Sequence, residues 1–199
     1  MQTVKTELHD IVLSALRSRD LETAHAYAQR LKDIEDREHP EWEHRRFGRL
    51  RGVDHLKLVL SCRPQILENV SDEVLEHLRF AAGVSSLLGV TRFRNYLPTG
   101  FKTTLLMDND SAVRMLLFRA SYECDMAYAR VAKAERVRLV AANWAAGFSG
   151  VCENCKALHG QEWKLEETPE IPLKHCTSKT GCRCGVVPVL PPEDKARCS

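Results

Sequence analysis

No stretch of the sequence approaches the run of about 18 apolar residues that crosses a bilayer. The opening MQTVKTELHDIVLSALRSRD mixes acids with bases, where an export signal needs a basic start, an apolar stretch and a small-residue cleavage site. Neither a membrane span nor secretion is expected. One-sided charge is lacking too: 29 Lys+Arg against 27 Asp+Glu leave a formal net charge of +2, little for a chain whose main work would be wrapping a nucleic-acid backbone. There is no internal repeat and no Gly/Ser-rich linker. With 44% hydrophobic and 28% charged residues over 199 positions, the composition is that of one or two ordinary globular domains and excludes disorder as the main state.

Catalytic signatures are also missing. No nucleophile stands beside its base, no Gly-rich loop is built to cradle phosphate, and no carboxylates pair at a recognisable spacing. His9, His25, His39, His44, His55 and His77 are scattered along helical segments and form no cluster. The expectation is a protein that is not an enzyme.

What the chain does have is cysteine. It holds eight, and five of them (Cys152, Cys155, Cys176, Cys182, Cys184) crowd into one segment near the C-terminus, with Cys62, Cys124 and Cys198 apart. A disulfide scaffold usually spreads its cysteines across the domain and needs an oxidising compartment. Local crowding without an export signal points to a metal, with a disulfide-stapled form of the same loop as the alternative.

Before that segment the apolar spacing is helical. Val4, Leu8, Ile11, Val12, Ala15 and Leu16, then Leu21, Ala24, Ala28, Leu31 and Ile34, predict a helical hairpin over about 3–36, broken at Ser18-Arg19-Asp20, with Asp20 as cap. Pro40 suits the start of a short helix carrying Trp42 and Phe47. The basic stretch Arg45-Arg46-Phe47-Gly48-Arg49-Leu50-Arg51 reads as a solvated face paired with Glu38, Glu41 and Glu43. A short helix from Asp54 to Ser61 and a better one opening at Ser71-Asp72-Glu73 follow, the second running to Gly89. Residues 101–107 read as a strand or extended connector. From Asp110 or Ser111 as cap, the stripe Val113, Leu116, Leu117, Ala120, Cys124, Ala127, Val131 and Ala134 predicts the longest helix, over about 111–146, with Cys124 as a small core residue. The fold expected is mainly α: a helical domain over 1–149, then a small zinc-ribbon-like β module and tail over 150–199.

Within the module, Cys152-Glu-Asn-Cys155 places two thiols on one tight turn, close enough to reach a single tetrahedral ion. His175, Cys176, Cys182 and Cys184 are the candidates for the remaining places. Leu158-His159-Gly160-Gln161 reads as a hairpin turn, with Trp163 beginning the return strand. In such a module a structural zinc replaces a core the segment is too small to build. The acids nearby, Glu153, Glu162, Glu166 and Glu167, lack the His-Glu pairing that activates a zinc-bound water, and the His-x-Glu and Pro-Cys-x-x-Cys signature of deaminases is absent. No βαβ pattern surrounds Cys152 and Cys155 to suggest dithiol redox chemistry.

The order Val-Cys152-x-x-Cys155-x-x-Leu158-His-Gly160, then Pro172-x-x-His175, then Cys182-Arg183-Cys184 and Pro188 resembles the C-terminal module of the Mu F-like phage head morphogenesis (minor head) proteins. There, Cys-x-x-Cys-x-x-Leu-(Asp/His)-Gly precedes a Pro-x-His-Pro-x-Cys-Arg-Cys box. The resemblance covers about the last quarter of the chain and the segment leading into it; residues 1–149 show no ADP-ribosyltransferase-like core. It departs at Cys176-Thr-Ser-Lys-Thr-Gly181, which lengthens the gap before Cys-Arg-Cys and adds a thiol. Four of the six candidates are expected to bind, and the pattern leaves open which four. The resemblance implies a virion component, assembled in the host cytoplasm, that contacts portal, capsid or neck proteins and acts as a homo-oligomer or ring, without turnover. Cys198 could then crosslink to a neighbour, although a cysteine one residue from the end reads first as a frayed, free thiol.

A second reading is a zinc-ribbon protein that binds nucleic acid or regulates. Lys156, Lys164, Lys174, Lys179 and Arg183 give the module positive charge, and Trp163 could stack on a base. Against it, Glu162, Glu166, Glu167 and Glu170 offset those charges, and on a helix Arg130, Lys133, Arg136 and Arg138 would spread around the axis instead of forming one basic face.

Overall fold

A computed structural model describes residues 2–39, 52–89, 93–103, 108–141, 151–178 and 181–190. Among these, six α-helices and one three-stranded sheet make the chain mainly α, with its β structure confined to the C-terminal part. The proposed helix after Pro40, the basic stretch 45–51 and Cys198 lie outside the described residues. No helix among the described residues is long and apolar enough to cross a membrane.

Contacts divide the chain into two units, Met1–Ser61 with Asp72–Phe101, and Cys62–Ser71 with Lys102–Ser199. The first holds α1 (Gln2–Arg17), α2 (Leu21–Glu38), α3 (Val53–Ser61) and α4 (Asp72–Leu88). Asp20 ends the turn between α1 and α2, its carboxylate accepting from Thr23 N at 3.2 Å, so the cap read from the sequence is the cap observed. The Lys5–Glu38 ion pair joins the start of α1 to the end of α2, as an antiparallel hairpin requires. Val12, Ala15, Leu16, Ala24 and Ala28 then meet Leu56, Leu60, Val84 and Leu87 in one core. Gly83 lets α4 approach closely: a Cβ there would stand 3.1 Å from a Leu16 methyl.

The second unit is organised by α5 (Asn109–Val131). Its cap is Asp108, two or three residues before the sequence reading; the carboxylate accepts from Ser111 N at 2.6 Å, which leaves Asp110 in the first turn and Ser111 buried. The helix also stops well short of residue 146. Lys133 adopts φ 51°, and Ala134 N donates to Ala129 O at 2.9 Å, a left-handed closure that ends the helix without a glycine. Chain direction then changes, and Arg136–Val140 form β1, with Val137 and Leu139 buried and Arg136 and Arg138 exposed.

β1 is the central strand of an antiparallel sheet in the order β2-β1-β3, with β2 at Glu162–Lys164 and β3 at Gly185–Val189. Val137 stands opposite Trp163 on one side and Pro188 on the other. Pro188, which cannot donate to a ladder, sits on an outer strand. β3 packs against α5. The structural division therefore falls at Phe101–Lys102, because α5 and β1 are built into the cysteine module instead of the helical domain that the sequence pattern gave them. Arg136 and Arg138, spread apart if helical, share one face of β1, and Glu162 pairs with both, at 3.9 and 2.6 Å.

Candidate metal centre

Three short segments deliver the thiols. Cys152 is the N-cap of α6 (Glu153–Leu158), its Sγ accepting from Cys155 N at 3.4 Å, so the Cys-x-x-Cys pair opens a helical turn that sequence reading had not recognised. α6 ends at His159–Gly160, where Gly160 takes φ 79°. Gly160 N donates to Leu139 O at 2.9 Å and Leu139 N to Gln161 O at 3.0 Å, which fastens the turn to β1 and starts β2 there. A strand is present at Trp163, but the expected hairpin is not: the segment before the turn is the helix α6, and β2 pairs with β1.

The third thiol comes from the stretch after Ile171, which is fully buried. Asn154 Nδ2 donates to His175 O at 3.1 Å, joining this stretch to α6, and Cys176 N donates to Leu173 O at 3.0 Å. The last two thiols sit on the loop into β3. Gly181, at φ 81°, lies against the first turns of α5: a Cβ there would be 2.8 Å from Arg114 Cβ and 3.1 Å from Ser111 O. Cys182 N donates to Met115 Sδ at 3.3 Å. Met115 lies too far away in sequence for any motif to have named it.

Of the six candidates, the fold gathers five. Cys152, Cys155 and Cys176 have sulfurs within 4.8 Å of one another, as do Cys155, Cys182 and Cys184, and all five residues are buried. His175 is exposed and belongs to neither group; its backbone, not its ring, serves the site. Cys62 and Cys124 are only partly buried and lie outside both groups.

Five neighbouring thiols cannot all ionise in one buried place. Burial pushes Cys152 up to about 11. Sulfur hydrogen bonds from Cys155 and Cys182 hold Cys184 down at about 4, and those from Cys176 and Cys182 lower Cys155. Cys176 and Cys182 are raised, each first through its contact with Cys155. Negative charge thus gathers first on Cys184, while Cys152, Cys176 and Cys182 hold their protons more firmly than a free thiol. A buried, all-sulfur donor set of this kind suits a thiophilic cation, whose binding would displace thiol protons and offset the negative charge.

Around the cluster three of the module's lysines are paired. Lys156 meets Glu153 at 2.7 Å, Lys164 meets Glu167 at 3.4 Å and Lys174 meets Glu68 at 2.6 Å. Arg119 on α5 joins Glu170 at 2.5 Å and Glu123 at 2.5 Å, and Glu170 also accepts from Gln65 N at 2.8 Å, tying the stretch before Ile171 to α5 and to the loop at 62–71. No protein-family model, curated protein or solved structure matches the chain.

Proposed function

We propose that the protein is a structural component of a tailed-phage particle, a minor head, head-completion or neck- and portal-associated subunit, and that a zinc ion bound by its cysteine cluster acts as a folding staple. The observation that carries this reading is the ordered series Cys152-x-x-Cys155, Leu158, Gly160, Pro172 and Cys182-Arg183-Cys184, whose thiols lie together in buried groups. The cysteines would hold the zinc and the zinc would supply folding energy. The protein's own part is to bring α6, the Cys176 stretch and the loop before β3 to one point, so that the face they share has a fixed shape for a portal, capsid or neck partner.

Pairing of Lys156, Lys164 and Lys174 with carboxylates counts against the nucleic-acid reading, because a phosphate contact there would first have to displace an acid. The test is to fractionate particles from cells that make the protein, wild type or Cys152→Ser, on a density gradient and to probe each fraction for the chain. Wild type is expected with heads or assembled particles and the variant in the free pool. A wild-type chain found only in the free pool, with particle yield unchanged when it is deleted, would overturn the virion role.

A further inference from the structure

Five sulfurs are one more than a tetrahedral ion can use, and their arrangement is not that of four ligands with a bystander. In a tetrahedral tetrathiolate every sulfur has three sulfur neighbours, at about 3.8 Å when the metal–sulfur distance is about 2.3 Å. The five sulfurs here form no such foursome: those within 4.8 Å of one another make two groups of three, and Cys155 is in both. Cys152 with Cys176 complete one group and Cys182 with Cys184 the other, and Cys176 and Cys182 also interact across the two. This is the pattern of two coordination polyhedra that share one vertex.

We infer that the cluster is a two-ion site in which the Cys155 thiolate bridges one thiophilic cation held with Cys152 and Cys176 and a second held with Cys182 and Cys184. The inference rests on the metal-staple reading and deepens it. Charge favours it as well. Four thiolates around one divalent ion, with the fifth thiol protonated, would leave two negative charges buried, whereas five thiolates around two divalent ions leave one, and burial penalises each uncompensated charge. The backbone is arranged to suit, since each side has its own mooring. Cys152 and Cys176 sit on segments joined by Asn154 to His175 O, and Cys182 and Cys184 sit on a loop anchored at Met115 and Ser111 of α5.

The test is native mass spectrometry of the reduced full chain titrated with Zn(II) or Cd(II), followed by cadmium NMR. Wild type is expected to take up two ions, and Cys152→Ser and Cys184→Ser one each, from opposite groups. The NMR signature is scalar coupling of the Cys155 methylene protons to both cadmium nuclei. A wild-type count of one would overturn the bridge and leave the staple standing; a count of zero would remove both. Two ions without coupling of Cys155 to both, or retention of both ions by either serine variant, would equally overturn the shared vertex. Because Cys155→Ser is expected to lose both ions and with them its fold, the Cys152 and Cys184 variants decide.

Discussion

Gly181→Ala tests whether the cysteine loop is held by contact with α5. Two costs add. Gly181 has φ 81°, and placing an L residue in that left-handed region costs about 1–2 kcal/mol. The new Cβ would also stand 2.8 Å from Arg114 Cβ and 3.1 Å from Ser111 O. Neither is the free end of a flexible side chain, so the loop or the helix must move, at a typical overpacking cost of about 1–3 kcal/mol. Together the expected loss is about 2–5 kcal/mol. Gly160→Ala is the internal control: φ there is 79° and nothing lies within 4 Å of the added Cβ, so only the backbone cost of about 1 kcal/mol should appear. Urea unfolding of both variants at one fixed zinc concentration measures the difference. With a urea dependence of about 1–3 kcal/mol per molar, Gly181→Ala should lower the midpoint by roughly 1–3 M. Equal losses in the two variants would refute the close approach of the loop to α5.

Three further outcomes follow from the same contacts. Leu56, fully buried in the first unit's core, should cost about 2–5 kcal/mol as Leu56→Ala, with ion count per chain unchanged; differential scanning calorimetry with native mass spectrometry checks both, and lost metal uptake would contradict the two-unit division. Asp108→Ala removes the 2.6 Å cap of α5 and should cost about 1 kcal/mol by urea unfolding, while Asp110→Ala, outside the cap, should cost less. Metal uptake should release about three protons per chain, from Cys152, Cys176 and Cys182, whose thiols are raised. Falling pH returns those protons and opposes binding, so affinity should drop steeply from about pH 8 to about pH 6. A pH-stat titration without proton release would contradict the protonation pattern of the cluster.

The helical hairpin was legible because its signals are local. Apolar spacing and the Asp20 cap need only neighbours a turn or two away. The cysteine cluster was legible for a related reason, since spacing alone brings Cys152 to Cys155 and Cys182 to Cys184. β1 was not. Arg136–Val140 continue an apolar stripe at tolerable helical spacing, and what makes them a strand is the pair of partners at Glu162–Lys164 and Gly185–Val189, far along the chain. The left-handed turn at Lys133 gave no warning, since no glycine marks it. His175 was chosen for its element chemistry and its place in the motif. In the fold its carbonyl accepts from Asn154, its ring is exposed, and it joins neither sulfur group.

Because β1 precedes the cysteines, the metal module cannot be cut out at residue 150. β2 and β3 do not pair with each other; each pairs only with β1. A fragment of residues 150–199 would keep all five clustered cysteines but lose the central strand, the Leu139 hydrogen bonds that fix the His159–Gly160 turn, and the Met115 and Ser111 contacts of the Gly181–Cys182 loop. Ordering the chain costs about 1–2 kcal/mol per residue, and the metal alone would have to meet that cost. The second unit as divided here, residues 62–71 with 102–199, keeps those supports. Compared by Cd(II) titration, the full chain should bind tightly and the 150–199 fragment at least about tenfold more weakly, a difference of about 1.4 kcal/mol or more. Equal affinities would mean that the sulfur ligands organise themselves and that α5 and β1 merely lie beside them.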